Sequence, residues 1–294
     1  MASVASLSAL PSAWSQASSP KVRVVVTFSI LADLVRQVGG DRVDVTSLVG
    51  PNADAHEFQP SPNTAKTVAD ASLVVINGLG LEAWASRLIT ASGSKAPVIT
   101  ASKDIKPLAG GSGAAGHHHG SDPHAWQNVR NVNVYVTNLR DALTRVDAAG
   151  KSIYETNASR YMAELARLDE EVKAAMASIP PQNRKIITSH DAFGYFGKAY
   201  GIQFVAPQGV STETEASARD VALIIRQIKQ QKIPAVFIEN ISDPRLIEQI
   251  ARETGAKIGG KLYSDALSEV GGPASTYLDM IRNNVAAFQN ALRG

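Results

Sequence analysis

The strongest constraint on the fold is a long helical pattern in the middle of the chain. Between Lys151 and Ser178 no glycine or proline interrupts the sequence, and the run ends at Pro180-Pro181. Apolar residues recur there at spacings of three and four, which places them on one face of a helix; they are Tyr161, Leu165, Leu168, Val172 and Met176. Such a helix would run about 42 Å, which is longer than one small domain requires. We therefore expect it to connect two lobes.

Short apolar runs alternate with helical patterns on both sides of this helix. The strand-like runs before it are 22–26, 43–49, 72–76 and 97–100, and those after it are 184–189, 202–206, 235–239 and a short run near 256–259. Strands that alternate with helices are typical of βαβ units and a mostly parallel sheet. The sequence therefore predicts an α/β protein with two lobes, at 22–148 and 181–294, joined by one long rigid helix at 149–180.

The histidines point to chemistry between these lobes. His56 follows the run 43–49, His190 directly follows 184–189, and His124 stands in the segment DPHAW before a predicted helix. Ligands of open α/β sheets bind beyond the carboxyl ends of the strands. Three imidazoles in that zone, drawn from both lobes, indicate a metal site in the cleft.

A carboxylate is the expected fourth ligand. Asp265 in KLYSDALSEVGG follows the strand predicted near 256–259 and is the best candidate. Three neutral imidazoles and one carboxylate suit a tetrahedral divalent ion, with zinc the leading choice. Because neutral imidazoles bind the metal, we expect affinity to fall as the pH drops through about 6.5.

Each candidate also has a simpler interpretation. A single loop histidine is more often an exposed surface residue than a ligand, and Asp265 alone could cap a helix. The adjacent Ser189-His190-Asp191 looks like a catalytic triad, but consecutive side chains do not form the required relay.

A zinc hydrolase with Glu57 as general base is the alternative from another class of protein. Four protein ligands would leave no open position on the zinc for the water that a hydrolase needs. Aromatic residues near the ligands (Phe58, Trp126, Phe193) could support the site or simply fill the core.

Two further segments carry weaker signals. Residues 104–123 are rich in glycine and serine and read as a flexible loop, in which His117, His118 and His119 could capture metal transiently or have no role. Residues 1–21 resemble the remnant of a secretory signal, with Ser15 and Ala17 as a small-x-small cleavage site; a plain disordered N-terminus is the alternative.

Composition excludes several classes of function. The chain has no cysteine, so disulfides, thiolate metal sites and cysteine nucleophiles are absent. Its formal net charge is +2, with lysine and arginine dispersed, which gives no case for nucleic acid.

Six segments together resemble the solute-binding proteins of ABC importers that handle zinc and manganese. They are GPNADAHEFQPSP, NGLGLEAW, SDPHAWQNVRNV, ITSHDAFGYFGKAYGI, FIENISDPRLIEQIARETGAKI and YSDALSEVGGPASTYLDMIRNNV, and the resemblance covers nearly all of residues 22–292. In that family the metal lies between two α/β lobes, and its ligands correspond here to His56, His124, His190 and Asp265. Manganese-selective members usually carry a carboxylate at the third of these positions, so His190 points to zinc.

The resemblance also implies the partners. It predicts a zinc-capture protein, not an enzyme, that delivers Zn²⁺ to an ABC permease and its ATPase, with a possible zinc-donating protein upstream and a monomeric working form. The alternative within the family is a manganese-binding component. Many members are lipoproteins anchored through a cysteine; because this sequence has none, we expect a soluble, exported periplasmic protein that is not a lipoprotein and not an adhesin.

Overall fold

The first half of the chain forms a four-stranded parallel sheet. The computed structural model describes residues 20–110 and 120–293. The strands are β1 (Val22–Phe28), β2 (Val43–Val49), β3 (Leu73–Ile76) and β4 (Val98–Thr100), in the order β2-β1-β3-β4. Helices α1 (Ser29–Gly39), α2 (Pro62–Ala69) and α3 (Ala85–Ser92) connect them. β1 is rich in valine and mostly buried, as expected of a central parallel strand with both faces covered.

Two helices follow this sheet. They are α4 (Val129–Val146) and α5 (Lys151–Ala177). The apolar stripe predicted for α5 is buried in full, from Tyr161 to Met176. At 27 residues the helix runs about 40 Å, so it reaches both halves of the molecule.

The second half repeats the architecture of the first. Its strands are β5 (Lys185–Ile187), β6 (Gln203–Val205), β7 (Ala235–Glu239) and β8 (Lys257–Leu262), again parallel and in the order β6-β5-β7-β8. The helices are α6 (Gly194–Tyr200), α7 (Ala218–Gln231), α8 (Arg245–Thr254) and the C-terminal α9 (Tyr277–Leu292). The predicted α/β fold with two parallel sheets and one long connecting helix is thus confirmed, whereas the exact lobe limits of 22–148 and 181–294 stay predictions.

The two halves are packed against each other. Helix α5 contacts α1 and α4 on one side and α6 and α9 on the other, and one apolar cluster extends through both halves. Within this cluster the carboxylate of Asp169 accepts hydrogen bonds from Tyr200 Oη (2.9 Å) and Arg130 Nε (2.8 Å), which ties α5 to α6 and α4. A long shared core of this kind favours a fixed arrangement of the two sheets.

The segment predicted to be a flexible loop (104–123) is described at its two ends. Ala109 pairs with Ser121 as an antiparallel bridge, and the Asp122 N–H donates to the Leu108 carbonyl at 2.9 Å. The Leu108 N–H donates in turn to Tyr195 Oη at 3.0 Å, which fixes this base against α6. Residues 111–119, which include His117, His118 and His119, lie outside the described residues, as does most of the N-terminal segment predicted to be a signal remnant. Among the described helices, none has both the length and the apolar content of a bilayer-spanning segment.

Candidate metal centre

The four predicted ligands meet at the carboxyl ends of the strands, between the two sheets. His56 lies in the loop after β2, and His124 lies just before α4. His190 follows β5, and Asp265 follows β8. Because all eight strands are parallel within their sheets, these loops emerge at the edges where ligands of open α/β sheets bind.

The distances between the four side chains are short enough for all of them to bind one metal ion. One ligand atom from each of the four residues lies within 4.8 Å of every other. The Asp265 carboxylate is closest to all three rings, at 3.1 Å from His56 Nε2, 3.2 Å from His190 Nε2 and 3.5 Å from His124 Nε2. Zinc bonds of about 2.0–2.2 Å from four corners require separations of this size. The structure therefore brings together all four residues that the sequence singled out.

Burial shows that this cluster needs a partner. His56 is 3% exposed, and the other three residues are 0% exposed. His124 Nε2, His190 Nε2 and Asp265 Oδ1 have no hydrogen-bond partner among the described residues. A buried polar atom without a partner costs about 1–3 kcal/mol. Several such atoms aimed at one point fit a divalent cation, which would satisfy them together.

Two buried carboxylates orient the histidine rings from behind. Asp122 Oδ1 lies 2.8 Å from His124 Nδ1 and also accepts the His124 N–H at 2.9 Å. Glu239 Oε2 lies 2.7 Å from His190 Nδ1, and its Oε1 accepts the His190 N–H at 2.9 Å. A carboxylate on Nδ1 leaves Nε2 free to face the metal and raises the basicity of the ring.

These charges also set the protonation of the site without metal. Burial alone disfavours a charged ring and lowers the pKa of His124, but Asp265 and Asp122 outweigh burial and raise it to about 9. For His190, burial is likewise outweighed by Glu239 and Asp265, so its pKa stands well above the ordinary value. Burial would raise the pKa of Asp265, yet the two neighbouring rings hold it well below the usual range.

Backbone contacts hold the loops that carry the ligands. The His56 N–H donates to Asp54 Oδ1 at 2.7 Å, and Asp54 Oδ2 accepts from Thr212 Oγ1 of the other half at 2.6 Å. Next to Asp265, the Ser264 carbonyl accepts from Trp126 Nε1 at 2.9 Å, again across the two halves. Hydrogen bonds as well as packing therefore hold the two halves of the molecule together around the site.

Sequence reasoning missed these supporting carboxylates. Glu239 is the last residue of β7, so the strand-end rule that selected His190 could have found it. Asp122 stands two residues before His124, where an aspartate side chain readily bonds to the backbone ahead of it. Of the three aromatic residues considered, only Trp126 packs on a predicted ligand, with its ring 5.3 Å from that of His124.

The other aromatic residues and the apparent triad have structural roles elsewhere. Phe58 packs on Trp84, with ring centres 4.7 Å apart, and Phe193 stacks on Phe204 at 5.0 Å. His190 Nδ1 faces Glu239 and not the adjacent Asp191. Glu57 beside His56 is exposed. The catalytic interpretations of these residues therefore have no support in the geometry.

Comparison with known proteins gives the class. The chain matches the family described as zinc-uptake complex component A, periplasmic, over residues 24–291. It belongs to this family, whose members are metal-binding components of ABC transporters, work with a permease and an ATPase, and are not enzymes. The zinc hydrolase is thereby excluded.

Individual relatives are similar over nearly their whole length. The manganese-binding lipoprotein MntA of Halalkalibacterium halodurans is 34% identical over 271 residues, covering 92% of this chain and 88% of the relative. The manganese transporter lipoprotein PsaA of Streptococcus pneumoniae is 31% identical over 285 residues (95% and 91%), and the iron-binding protein YfeA of Yersinia pestis is 33% identical over 271 residues (91% and 85%). The solved structure of the periplasmic zinc-binding protein TroA of Treponema pallidum superposes with a TM-score of 0.87 at 30% identity, covering 92% of this chain and 99% of that one.

One expectation is wrong. The sequence led us to expect a soluble periplasmic protein that is not a lipoprotein, whereas the relatives MntA, PsaA and FimA are all named lipoproteins. The inference failed because it rested on a cysteine count. That count reports on disulfides and thiolate ligands of the folded body, and it does not decide how a protein of this family is held outside the cytoplasm.

Proposed function

We propose that this chain binds zinc through His56, His124, His190 and Asp265 and delivers it to its permease. The observation that carries the proposal is the donor set: three buried imidazole nitrogens and one buried carboxylate, whose ligand atoms lie within 4.8 Å of one another. Imidazole-rich tetrahedral sites favour zinc, whereas manganese prefers carboxylate, carbonyl and water oxygens.

Charge balance supports the same metal. Three neutral imidazoles and Asp265 supply one negative charge, and the carboxylates of Asp122 and Glu239 lie behind two of the rings. These carboxylates increase the basicity of the nitrogens, which strengthens bonds to a borderline-soft ion such as zinc. Because four protein atoms complete a tetrahedron, the site would retain the ion without a water ligand, as suits cargo rather than catalysis.

Manganese is the second candidate. Two of the relatives named above carry manganese in their names, and one is named as iron-binding. Against manganese stands His190, which occupies the position where the resemblance predicts a carboxylate in manganese-selective members. We therefore base the choice of metal on the ligand types at this site and not on the metals named for the relatives.

Competition between the two metals tests the proposal. Metal-free protein is titrated with Zn²⁺ and with Mn²⁺ against a chelator of known affinity, and the bound metal is counted by elemental analysis. We expect one tightly bound zinc per chain and at least a hundredfold weaker manganese, and we expect His190→Ala to lose most of the zinc affinity. Equal affinity for both metals, or unchanged zinc binding in His190→Ala, would contradict the assignment.

The proposal places this chain between capture and transport. Zinc is taken up outside the cytoplasm, in part from a zinc-donating protein, and a monomer carries it to the permease. Since the shared core and the hydrogen bonds across the cleft hold the halves together, we expect release to involve local movement of the ligand loops rather than a wide hinge opening.

A further inference from the structure

The enclosed ligands raise the question of how a cation reaches them. All four are 0–3% exposed, so an ion from solution must first meet another part of the surface. A cavity of about 480 Å³ lies between the two halves of the molecule. Asp54 and Glu57 line it from the loop of His56, and Ser189 lines it next to His190. The cavity therefore adjoins the chain segments that carry two of the four ligands.

The lining of this cavity is negatively charged. Four carboxylates line it, those of Asp54, Glu57, Glu215 and Asp243. The lining also contains Arg245, which forms an ion pair with Asp243. The carboxylates that remain leave the cavity with a net negative charge, and a concave acidic surface concentrates cations from solution.

A buried hydroxyl gives an independent indication of a ligand. Ser189 lines the cavity although it is only 3% exposed, and its Oγ has no hydrogen-bond partner among the described residues. Thr212 also lines the cavity, with its hydroxyl bonded to Asp54. An unpaired hydroxyl in the wall of an acidic cavity can bind a water of a hydrated ion once a small movement of the wall admits it.

We propose that this cavity is an entry site for a hydrated divalent cation, which is held there before it loses its water and passes to the four ligands. The volume suits this role, because an ion with six waters at about 30 Å³ each needs roughly 200 Å³. The carboxylates act through water: among the described residues, only His56, His124, His190 and Asp265 come close enough together to ligate an ion directly. This inference rests on the proposed metal-binding function.

Association kinetics test the entry site. Stopped-flow tryptophan fluorescence, to which Trp126 contributes through its contact with His124, reports zinc binding to the full chain. We expect Glu57→Gln and Glu215→Gln each to slow association about fourfold, the Coulomb factor for a dication about 10 Å from a unit charge in water. The double variant should be slowed about fifteenfold, with no increase in the dissociation rate. Glu155→Gln on α5, which removes an exposed carboxylate outside the cavity, is the matched control and should associate like the wild type.

A competitor separates a bound ion from general steering. Mg²⁺ keeps its waters and does not suit an imidazole site. We expect Mg²⁺ to slow zinc association in the wild type more than NaCl of equal ionic strength does, and this difference should vanish in the double variant. Equal slowing by both salts, unchanged association in the double variant, or faster dissociation as the only effect would overturn the entry site. If the wild type binds no divalent metal at all, the proposed function falls instead, so the two failures are distinguishable.

Discussion

Zinc affinity should depend on pH well above the range of an ordinary histidine. In the metal-free site the pKa of His124 is raised to about 9, because Asp265 and Asp122 outweigh the effect of burial. The pKa of His190 is raised as well, by Glu239 and Asp265. Both raised pKa values favour protonated rings at neutral pH without metal, and a metal ion must displace these protons to bind. Affinity should rise with pH up to about 9 and fall as the pH decreases below it.

The size of the effect follows from the number of displaced protons. One proton changes the dissociation constant tenfold per pH unit, and two protons change it a hundredfold. At pH 7, below the pKa of His124 at about 9, displacement of that proton alone costs roughly 3 kcal/mol. Between pH 8 and pH 6 we thus expect affinity to fall by a factor of about 100 to 10,000. Histidines with the ordinary pKa of about 6.5 would lose only about twofold between pH 8 and pH 7.

Chelator competition and calorimetry measure both quantities. Dissociation constants are determined at half-unit steps from pH 6 to pH 8.5, with the chelator corrected for its own protonation. Calorimetry in buffers of different ionisation enthalpy counts the protons released per zinc at pH 7.5. We expect between one and two protons. Flat affinity between pH 7 and pH 8, together with no proton release, would refute the reasoning.

Glu239→Gln provides the matched control for this prediction. It keeps a side chain of the same shape behind His190 but removes the charge that raises the pKa of that ring. Proton release at pH 7.5 should decrease, and zinc affinity should fall about 10- to 100-fold because the ring is less basic and less well oriented. A variant that releases as many protons as the wild type would show that Glu239 does not set the protonation of His190.

Three further predictions concern selectivity, the glycine loop and stability. His190→Glu should shift preference from zinc toward manganese in competition titrations, because a carboxylate replaces a nitrogen donor; an unchanged zinc-to-manganese ratio would count against selectivity by this ligand. Deletion of residues 112–120 should leave zinc affinity within about tenfold, or about 1.4 kcal/mol, and a larger loss would give the histidine triplet a direct role. Tyr161→Phe should stabilise the metal-free protein by about 1 kcal/mol in urea unfolding, since the Tyr161 hydroxyl is buried without a partner among the described residues. Its counterpart Tyr135→Phe should destabilise by about 1–2 kcal/mol, because it removes the 2.7 Å hydrogen bond to Asn77; equal effects would contradict the argument.

Much of the fold could be predicted because its signals are local. The runs 43–49 and 235–239 were predicted as strands with the bounds that the structure shows. The long helix ends at Ala177, one residue before the end of the uninterrupted pattern at Ser178, because Pro180 and Pro181 cannot continue it. Helix starts are less certain from sequence. The last helical pattern can be extended back to Pro273, but α9 begins at Tyr277 because Thr276 caps it by accepting from the Asp279 N–H. Several neighbouring polar residues could each serve as the N-cap, so the sequence alone does not decide where the helix begins.

The candidate site was predicted only in part. The rule that ligands bind beyond the carboxyl ends of the strands applies to one residue at a time. It selected His190 and Asp265, but it did not reveal that Glu239 stands behind the ring of His190. The effect of burial on protonation was missed for the same reason: the ordinary pKa of histidine was assumed, while His124 lies fully buried between two carboxylates.

The sequence by itself determined the alternation of strands and helices, the length of the connecting helix and the kinds of side chain available for a metal. These follow from backbone propensity, apolar periodicity and residue chemistry, which act over a few positions. Only the tertiary structure decided that His56 and Asp265, 209 positions apart, lie 3.1 Å from each other, and that Asp122 and Glu239 stand behind the rings of His124 and His190. It also placed an acidic cavity beside the loops that carry His56 and His190. The physical reason is that distances and electric fields at a site depend on how the two sheets pack through a shared core, and that packing is a property of the whole chain.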